Sequence, residues 1–179
     1  MFNHILVPLD GSPLCEYVLP HAVALAQALG ARVTLLQVLE PVHTAGQTRS
    51  VDPLGWHIRK AEGVAYLDAV AARLQEADLR LEKALLEGPA AERIAQFAKD
   101  QNADLMVLSS HGEGGLNRWN ISSAVQRTIL EASISVMIVR AYQPVPSDLT
   151  GLRYQRLLVL LDGSRRAECT LPLATTLAR

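Results

Sequence analysis

Two stretches of this 179-residue sequence carry side chains that could bind a ligand, and each follows a short apolar run. Asp10-Gly11-Ser12 comes directly after His4–Leu9, and residues 109–123, rich in serine, histidine and glycine, come after Asp104–Leu108. In α/β proteins a strand that ends in small residues and leads into a helix commonly forms an anion site. The first N–H groups of the helix are unpaired, and the helix dipole favours negative charge. The arrangement predicts a nucleotide site.

The elements that must position these residues follow from the apolar pattern. Continuous or alternating apolar runs predict five strands, and apolar residues at helical spacing between them predict four helices. The predicted strands are 4–9, 32–39, 79–86, 104–108 and 135–140, and the helices begin near Pro13, Leu54, Pro89 and Ser122 or Ser123. Residues 40–53 have no periodicity and predict a surface loop. Such alternation predicts a parallel sheet covered by helices on both faces.

In open parallel sheets, ligands bind beyond the carboxyl ends of the strands, where the strand order reverses. The segments at those ends are Asp10–Ser12, the chain from Val38 onward, and Ser109–Ser123. We therefore expect these three segments to converge on one site.

Composition excludes several other classes of protein. The formal net charge is −1, so no overall field favours nucleic acid or an anionic membrane. No apolar stretch reaches the roughly 18 residues of a membrane span, and no signal peptide is recognisable. Cys15 and Cys169 lie far apart without metal-ligand spacing, which predicts free thiols and a cytoplasmic protein.

The end of the chain repeats its beginning. When residues 2–27 are aligned with residues 154–179 at a constant shift of 152, twelve of the twenty-six positions are identical, including Leu6/Leu158, Val7/Val159 and Asp10/Asp162. This predicts a first domain at 1–141, a proline-containing linker at 142–153, and at 154–179 the first strand and helix of an incomplete second repeat. We expect either a fragment of a longer protein or a tail that packs on the first domain or on a partner.

Three segments together resemble the universal stress proteins of the UspA type. They are Ile5–Ser12, Ser109–Arg118 and Val136–Arg140, and the resemblance covers residues 2–140. It implies a three-layer, Rossmann-like sandwich of the adenine nucleotide alpha hydrolase-like type, with a five-stranded parallel sheet in the order 3-2-1-4-5. It also implies a homodimer, often through the last strand, or intramolecular pairing with a second UspA domain, and in one branch of the family the binding of ATP, here with Mg²⁺.

The ATP-binding branch carries glycine, two residues, glycine, nine residues, glycine, then serine or threonine. The matching positions are Ser109, Gly112, Ser122 and Ser123, so the spacing is kept while two of the three glycines are serine. Glycine tolerates positive φ and lets the backbone approach a phosphate. A non-glycine residue forced to adopt a positive φ costs about 1–2 kcal/mol. A binding penalty of about 1.4 kcal/mol corresponds to a tenfold loss of affinity. Serine is small and its hydroxyl could donate to a phosphate.

Other candidate residues have a structural alternative beside the functional one. Asp10 could bind adenine and ribose or only form a turn, His111 could contact a phosphate or serve as a turn or interface residue, and Ser123 with Gln126 fits a helix capping box. Val38 would offer backbone contacts to adenine. The candidate ligand-binding residues are Pro8, Asp10, Gly11, Ser12, Val38, Ser109, His111, Gly112, Gly115, Ser122 and Ser123.

Three functions remain open from the sequence. The first is a stress-response regulatory protein that binds ATP or a related adenine nucleotide, and the second is a dimerisation or adaptor module that has lost the site. The third is a hydrolase built on Ser12, His111 and Asp10, which we do not expect because no nucleophile elbow or oxyanion hole is recognisable. We expect no enzyme, although slow ATP hydrolysis stays open.

Overall fold

The computed structural model of the chain describes residues 2–41, 53–111, 123–140 and 149–178. Its strands are β1 (His4–Leu9), β2 (Arg32–Leu39), β3 (Leu81–Glu87), β4 (Leu105–Ser109) and β5 (Ser135–Val139). Its helices are α1 (Leu19–Leu29), α2 (Pro53–Arg73), α3 (Ala90–Asp100), α4 (Ser123–Glu131), α5 (Arg165–Glu168) and α6 (Leu171–Leu177). Most of the surface loop predicted at residues 40–53 lies outside the described residues.

The five strands form one parallel sheet in the order β3-β2-β1-β4-β5, which confirms the order implied by the family resemblance. β1 lies at the centre, paired with β2 from His4↔Arg32 to Leu9↔Gln37 and with β4 at Ile5↔Leu105. The chain moves from β1 to β2 and β3 on one side, then returns to β4 and β5 on the other. The strand order therefore reverses between β1 and β4, where sheets of this class bind ligands.

Alternate residues of the central strands enter two separate cores. Ile5, Val7 and Leu35 are fully buried on the face covered by α1 and α2, and Leu6 and Leu36 are fully buried on the face covered by α3 and α4. A strand buried on both faces has a continuous apolar sequence, which explains why the periodicity predicted these strands. The result is the expected three-layer sandwich.

The first helix differs from its prediction at its start. The sequence predicts a helix that begins near Pro13, but a 3-10 turn at Cys15–Val18 comes first, and α1 begins at Leu19. Ser12 supports the start of this turn, because its Oγ accepts a hydrogen bond of 3.2 Å from the backbone N–H of Cys15. Pro20, near the start of α1, has no backbone N–H, so it cannot donate the hydrogen bond that would extend the α-helix back into the turn. A proline therefore moves the helix start to Leu19.

A buried polar network joins the amino-terminal ends of the strands, at the edge opposite the candidate site. Arg32 donates to Nδ1 of His4 at 3.1 Å, and Nε2 of His4 lies 2.8 Å from the hydroxyl of Thr34, which donates to Glu82 at 3.3 Å. Only a neutral His4 can accept the Arg32 bond. Burial of the ring, reinforced by the charge of Arg32, lowers the pKa of His4 below its ordinary value of 6.5.

We expect the stability of the fold to fall as the pH is lowered below about 6.5. The unfolded chain binds a proton at His4 more readily than the folded chain does, so the contribution of neutral His4 is fully present above pH 6.5 and is lost on acidification through the folded pKa. Urea unfolding at pH 7.5 and 5.5 should show this loss, and His4→Gln, which keeps an acceptor without titrating, should reduce it. An equal loss in wild type and variant would contradict the assignment, since His21, whose pKa burial also lowers, is present in both.

The segment at residues 149–178 contacts the first domain at several points. Leu149 is buried in the core under α1 and α2, Leu177 packs against the same core, and Nδ1 of His21 on α1 lies 2.6 Å from the hydroxyl of Tyr154. Helices α5 and α6 follow Asp162-Gly163-Ser164 as the repeat predicts, but residues 154–162 form no strand. A strand needs a neighbour to pair its backbone, and no described strand lies beside this segment. The assignment to a second repeat stays a prediction.

Candidate functional site

The carboxyl ends of β1, β2 and β4 lie side by side and present most of the described candidate residues. The β1–β2 register ends at Leu9↔Gln37, so Val38 lies one residue beyond the last pair. The β1–β4 register begins at Ile5↔Leu105, which places Ser109 level with Leu9. Pro8 and Val38 are half-buried at this edge, and Asp10 is exposed above it. The three strand ends therefore meet at one edge, as the sequence predicts.

The Asp10-Gly11-Ser12 turn stands at the centre of this edge. Oδ1 of Asp10 accepts a hydrogen bond of 2.9 Å from the backbone N–H of Ser12, which closes the turn. Gly11 has a φ of +84°, in the left-handed region that favours glycine. Both alternatives for Asp10 are compatible with this geometry, since the carboxylate forms the turn and is still exposed to solvent.

Cys15 supports the turn from below. Its Sγ accepts from the backbone N–H of Asp10 at 3.4 Å, donates to the carbonyl of Ser12 at 3.0 Å, and lies 3.7 Å from the hydroxyl of Tyr66 on α2. Burial, reinforced by the charge of Asp10, raises the pKa of the Cys15 thiol to about 12. The thiol therefore stays protonated and acts as a structural donor, a role that the sequence analysis, which treated it only as a free thiol, missed.

Ser109, the first motif position occupied by serine instead of glycine, lies at the end of β4 and is 6% exposed. Among the described residues only Asp78 and Asn102 have a positive φ without being glycine, so the strain expected from a serine at this position does not arise. Its Oγ lies 2.7 Å from the carbonyl of His111 and 3.1 Å from that of Leu14. The hydroxyl is thus engaged by backbone carbonyls, where the sequence analysis considered it as a phosphate donor.

Ser110 and His111 continue the buried end of β4. The N–H of Ser110 donates to the carbonyl of Val139 on β5 at 2.9 Å, and Oγ of Ser110 lies 2.8 Å from Nδ1 of His111. His111 is 8% exposed. These contacts favour the turn role over phosphate contact for His111, because the residue is buried and its Nδ1 already lies within hydrogen-bond distance of Ser110.

The remaining motif positions can be followed only in part. Gly112, Gly115 and Ser122 lie outside the described residues, and Ser123 is the first residue of α4, where it is exposed. A ligand bound above β1 and β4 would meet the amino end of α4 at Ser123, where helix N–H groups and the helix dipole favour an anion.

Gln37 is a polar residue of this edge that the sequence analysis missed. It is 9% exposed on β2, and its Oε1 is buried without a hydrogen-bond partner. Its Nε2 lies 3.6 Å from the position that a Cβ on Gly11 would occupy, so the amide reaches the underside of the turn. The sequence signal for Gln37 was that it is the one amide in the mostly apolar run Arg32–Leu39. Buried polar side chains normally have hydrogen-bond partners, so an amide in a buried strand marks a position where a partner should be sought.

Two further observations bear on the kind of site. Across residues 2–41, 53–111, 123–140 and 149–178, no group of three or more His, Cys, Asp or Glu side chains could hold a metal ion. Over the same ranges, no helix combines the length and apolar composition needed to cross a bilayer.

Comparison with known proteins assigns the family. The profile described as "Universal stress protein family" matches residues 1–140. A universal stress protein of Thermus aquaticus is 34% identical over 141 residues, covering 78% of this chain and all of that protein, and universal stress protein MJ0531 of Methanocaldococcus jannaschii is 28% identical over 78% of this chain and 83% of its own length. The structure of UspA from Lactobacillus plantarum superposes with a TM-score of 0.66 at 27% identity, covering 78% of this chain and 98% of that one. With its sheet order, its strand-end site and these relatives in agreement, the chain belongs to the universal stress protein family.

Proposed function

We propose that this protein binds an adenine nucleotide at the carboxyl edge of β1, β2 and β4. The observation that carries the proposal is the position of the exposed Asp10–Ser12 turn, which stands between the ends of β2 and β4 where the strand order reverses. An adenine nucleotide would use both the polar turn and the anion-favouring helix end nearby.

Each part of the nucleotide has a complementary group at this edge. The exposed carboxylate of Asp10 can accept hydrogen bonds from ribose hydroxyls, and the backbone of Val38, beyond the last β1 pair, can contact the base. The amino end of α4 at Ser123 favours the phosphates. The more specific ligand that we propose is ATP together with Mg²⁺, because phosphate oxygens are natural ligands of this cation.

Solved relatives support this class of ligand. Universal stress proteins have been solved in complex with cAMP (18% identical, TM-score 0.60) and, from Archaeoglobus fulgidus, with dAMP (20% identical, TM-score 0.55). A family member from Arabidopsis thaliana has been solved with AMP bound (16% identical, TM-score 0.58). At these identities the relatives share the fold with this chain, and their ligands indicate which class of molecule to test.

Isothermal titration with AMP, and with ATP in the presence and absence of Mg²⁺, tests the proposal. We expect saturable binding of the adenine nucleotides and weaker binding of GMP. Asp10→Asn keeps an oxygen for the Ser12 N–H while removing the charge, so it should weaken AMP binding about tenfold with little change in stability, as expected for a charge-assisted hydrogen bond of about 1.5–3 kcal/mol. The absence of heat at millimolar nucleotide would refute the proposal.

A second candidate function is a dimerisation or adaptor module that binds no nucleotide. The observation that favours it is the engagement of the Ser109 hydroxyl by two backbone carbonyls, so that the side chain at this motif position is already used within the fold. The same titration separates the two functions, because the adaptor predicts no adenine nucleotide binding. Catalysis is not part of either proposal.

A further inference from the structure

Gln37 has a buried polar atom without a partner, directly beneath the Asp10–Ser12 turn. It lies on β2 opposite Leu9, the last residue of β1 before that turn. The side chain is 9% exposed, and its Oε1 has no hydrogen-bond partner in the part of the chain that the structure describes. Buried polar groups nearly always have partners, and one without a partner lowers the stability of the fold. Such an atom is expected where function requires it.

Two glycines flank the amide of Gln37. A Cβ on Gly63 of α2 would lie 3.1 Å from Oε1, closer than an ordinary contact, and a Cβ on Gly11 would lie 3.6 Å from Nε2. A side chain at residue 63 would therefore compete with the amide for space, and Gly11 places no side chain over it. The terminal torsion of a glutamine is broad, and rotation of this amide breaks no hydrogen bond of Oε1 to a described residue.

The turn above Gln37 is held by other groups. The N–H of Ser12 donates to Oδ1 of Asp10 at 2.9 Å. Sγ of Cys15 accepts from the N–H of Asp10 at 3.4 Å and donates to the carbonyl of Ser12 at 3.0 Å. Since these hydrogen bonds close and support the turn without Gln37, its amide remains available to a ligand.

We propose that the amide of Gln37 binds the purine base and recognises its 6-amino group, an inference that rests on the proposed adenine nucleotide site. Gln37 directly precedes Val38, whose backbone contacts the base in that site. Adenine presents its amino donor beside a ring-nitrogen acceptor, and a glutamine amide offers the acceptor Oε1 beside the donor Nε2, so two hydrogen bonds form. Because Oε1 gives up no described protein partner, its bond to the amino group adds directly to the affinity.

Isothermal titration of the 179-residue chain with AMP and with purine riboside 5′-monophosphate tests this recognition. The two nucleotides differ only in the 6-amino group. We expect AMP to bind about tenfold more tightly, because a site that hydrogen-bonds an N–H group discriminates against the analogue that lacks it. Absence of AMP binding refutes the nucleotide site and this inference with it, whereas equal binding of the two nucleotides leaves the site in place and overturns the role of Gln37.

Gln37→Met keeps the length of the side chain and removes both polar atoms. It should lower the affinity for AMP about tenfold and leave that for purine riboside 5′-monophosphate unchanged, so that the preference disappears. Because apolar atoms replace a buried acceptor without a partner, the Tm should stay the same or rise by about 2–4 °C. A residue with a purely structural role would instead lose stability and the affinity for both nucleotides together, and that result overturns the proposal.

Gln27→Met is the matched control. Gln27 lies on α1 at the opposite edge of the sheet, where its Nε2 donates to the carbonyl of Ala77 at 3.1 Å. The same substitution there removes an amide that has a partner, so it should lower the Tm slightly and leave the preference for AMP at its wild-type value. An equal loss of preference in the two variants would show that the effect at Gln37 is not local and would overturn the assignment.

Discussion

Gly11→Ala is expected to lower the affinity for AMP about tenfold. Gly11 has a φ of +84°, and an alanine held there costs about 1–2 kcal/mol. The free turn can relax to a negative φ, and binding must then restore the strained form, so most of this cost is subtracted from the binding free energy. The new Cβ would lie 3.6 Å from Nε2 of Gln37, an ordinary contact, so the effect comes from the backbone and not from a clash. Isothermal titration measures the change.

Gly30→Ala is the matched control for this prediction. Gly30 also has a positive φ, +65°, with nothing within 4 Å of a Cβ, but it follows α1 at the opposite edge of the sheet. Gly30→Ala should leave the affinity for AMP unchanged and lose at most about 1–2 kcal/mol of stability, whereas Gly11→Ala, whose free turn relaxes, should show its loss in AMP affinity. Equal affinities in the two variants would show that the Asp10–Ser12 turn does not contact the nucleotide.

Leu35→Ala is expected to destabilise the fold by about 3–5 kcal/mol, a large part of the roughly 5–15 kcal/mol by which an ordinary domain is stable. Leu35 lies in β2, is fully buried, and packs in the core under α1 and α2. The close-packed strands on both sides prevent the cavity from collapsing, so the cost lies in the upper part of the range for leucine. Chemical denaturation at neutral pH measures the change.

The control makes the same chemical change on the surface. Leu130 on α4 is 86% exposed, and Leu130→Ala should alter stability by no more than about 0.5 kcal/mol, because little apolar area is lost and both residues favour helix. A loss at Leu130 comparable to that at Leu35 would mean that α4 is covered by another surface in solution.

The regular parts of the fold were predictable because a strand that is buried on both faces needs a nearly continuous apolar sequence, which is easy to recognise. Val7 lies in a nearly continuous apolar run and Leu35 in a predominantly apolar one, and those runs predicted strands that the structure confirms. Element starts were less predictable, as the 3-10 turn before α1 shows. That turn depends on Pro20, seven residues after the predicted helix start near Pro13.

The site was predictable in position and less so in detail. The convergence of Asp10, Val38 and Ser109 follows from strand direction alone. The backbone strain expected at Ser109 is absent, because the spacing of the motif residues identifies the position without giving its φ angle. Gln37 was missed because a single polar residue in a strand does not reveal whether it is paired, and the Tyr154–His21 contact joins residues too distant for any local pattern to predict.

The hydrogen bonds of the Ser109 hydroxyl have a consequence for how this motif position can change during evolution. Its hydroxyl is satisfied by the carbonyls of His111 and Leu14, and the polar network that helps hold the sheet lies at the other edge, around His4. Replacing Ser109 by glycine would remove the hydroxyl from these two carbonyls and add backbone freedom at the end of β4, so the exchange would lower the stability of the fold as well as alter the chemistry at this edge. Substitution at this motif position is therefore constrained by the fold itself and not only by a ligand.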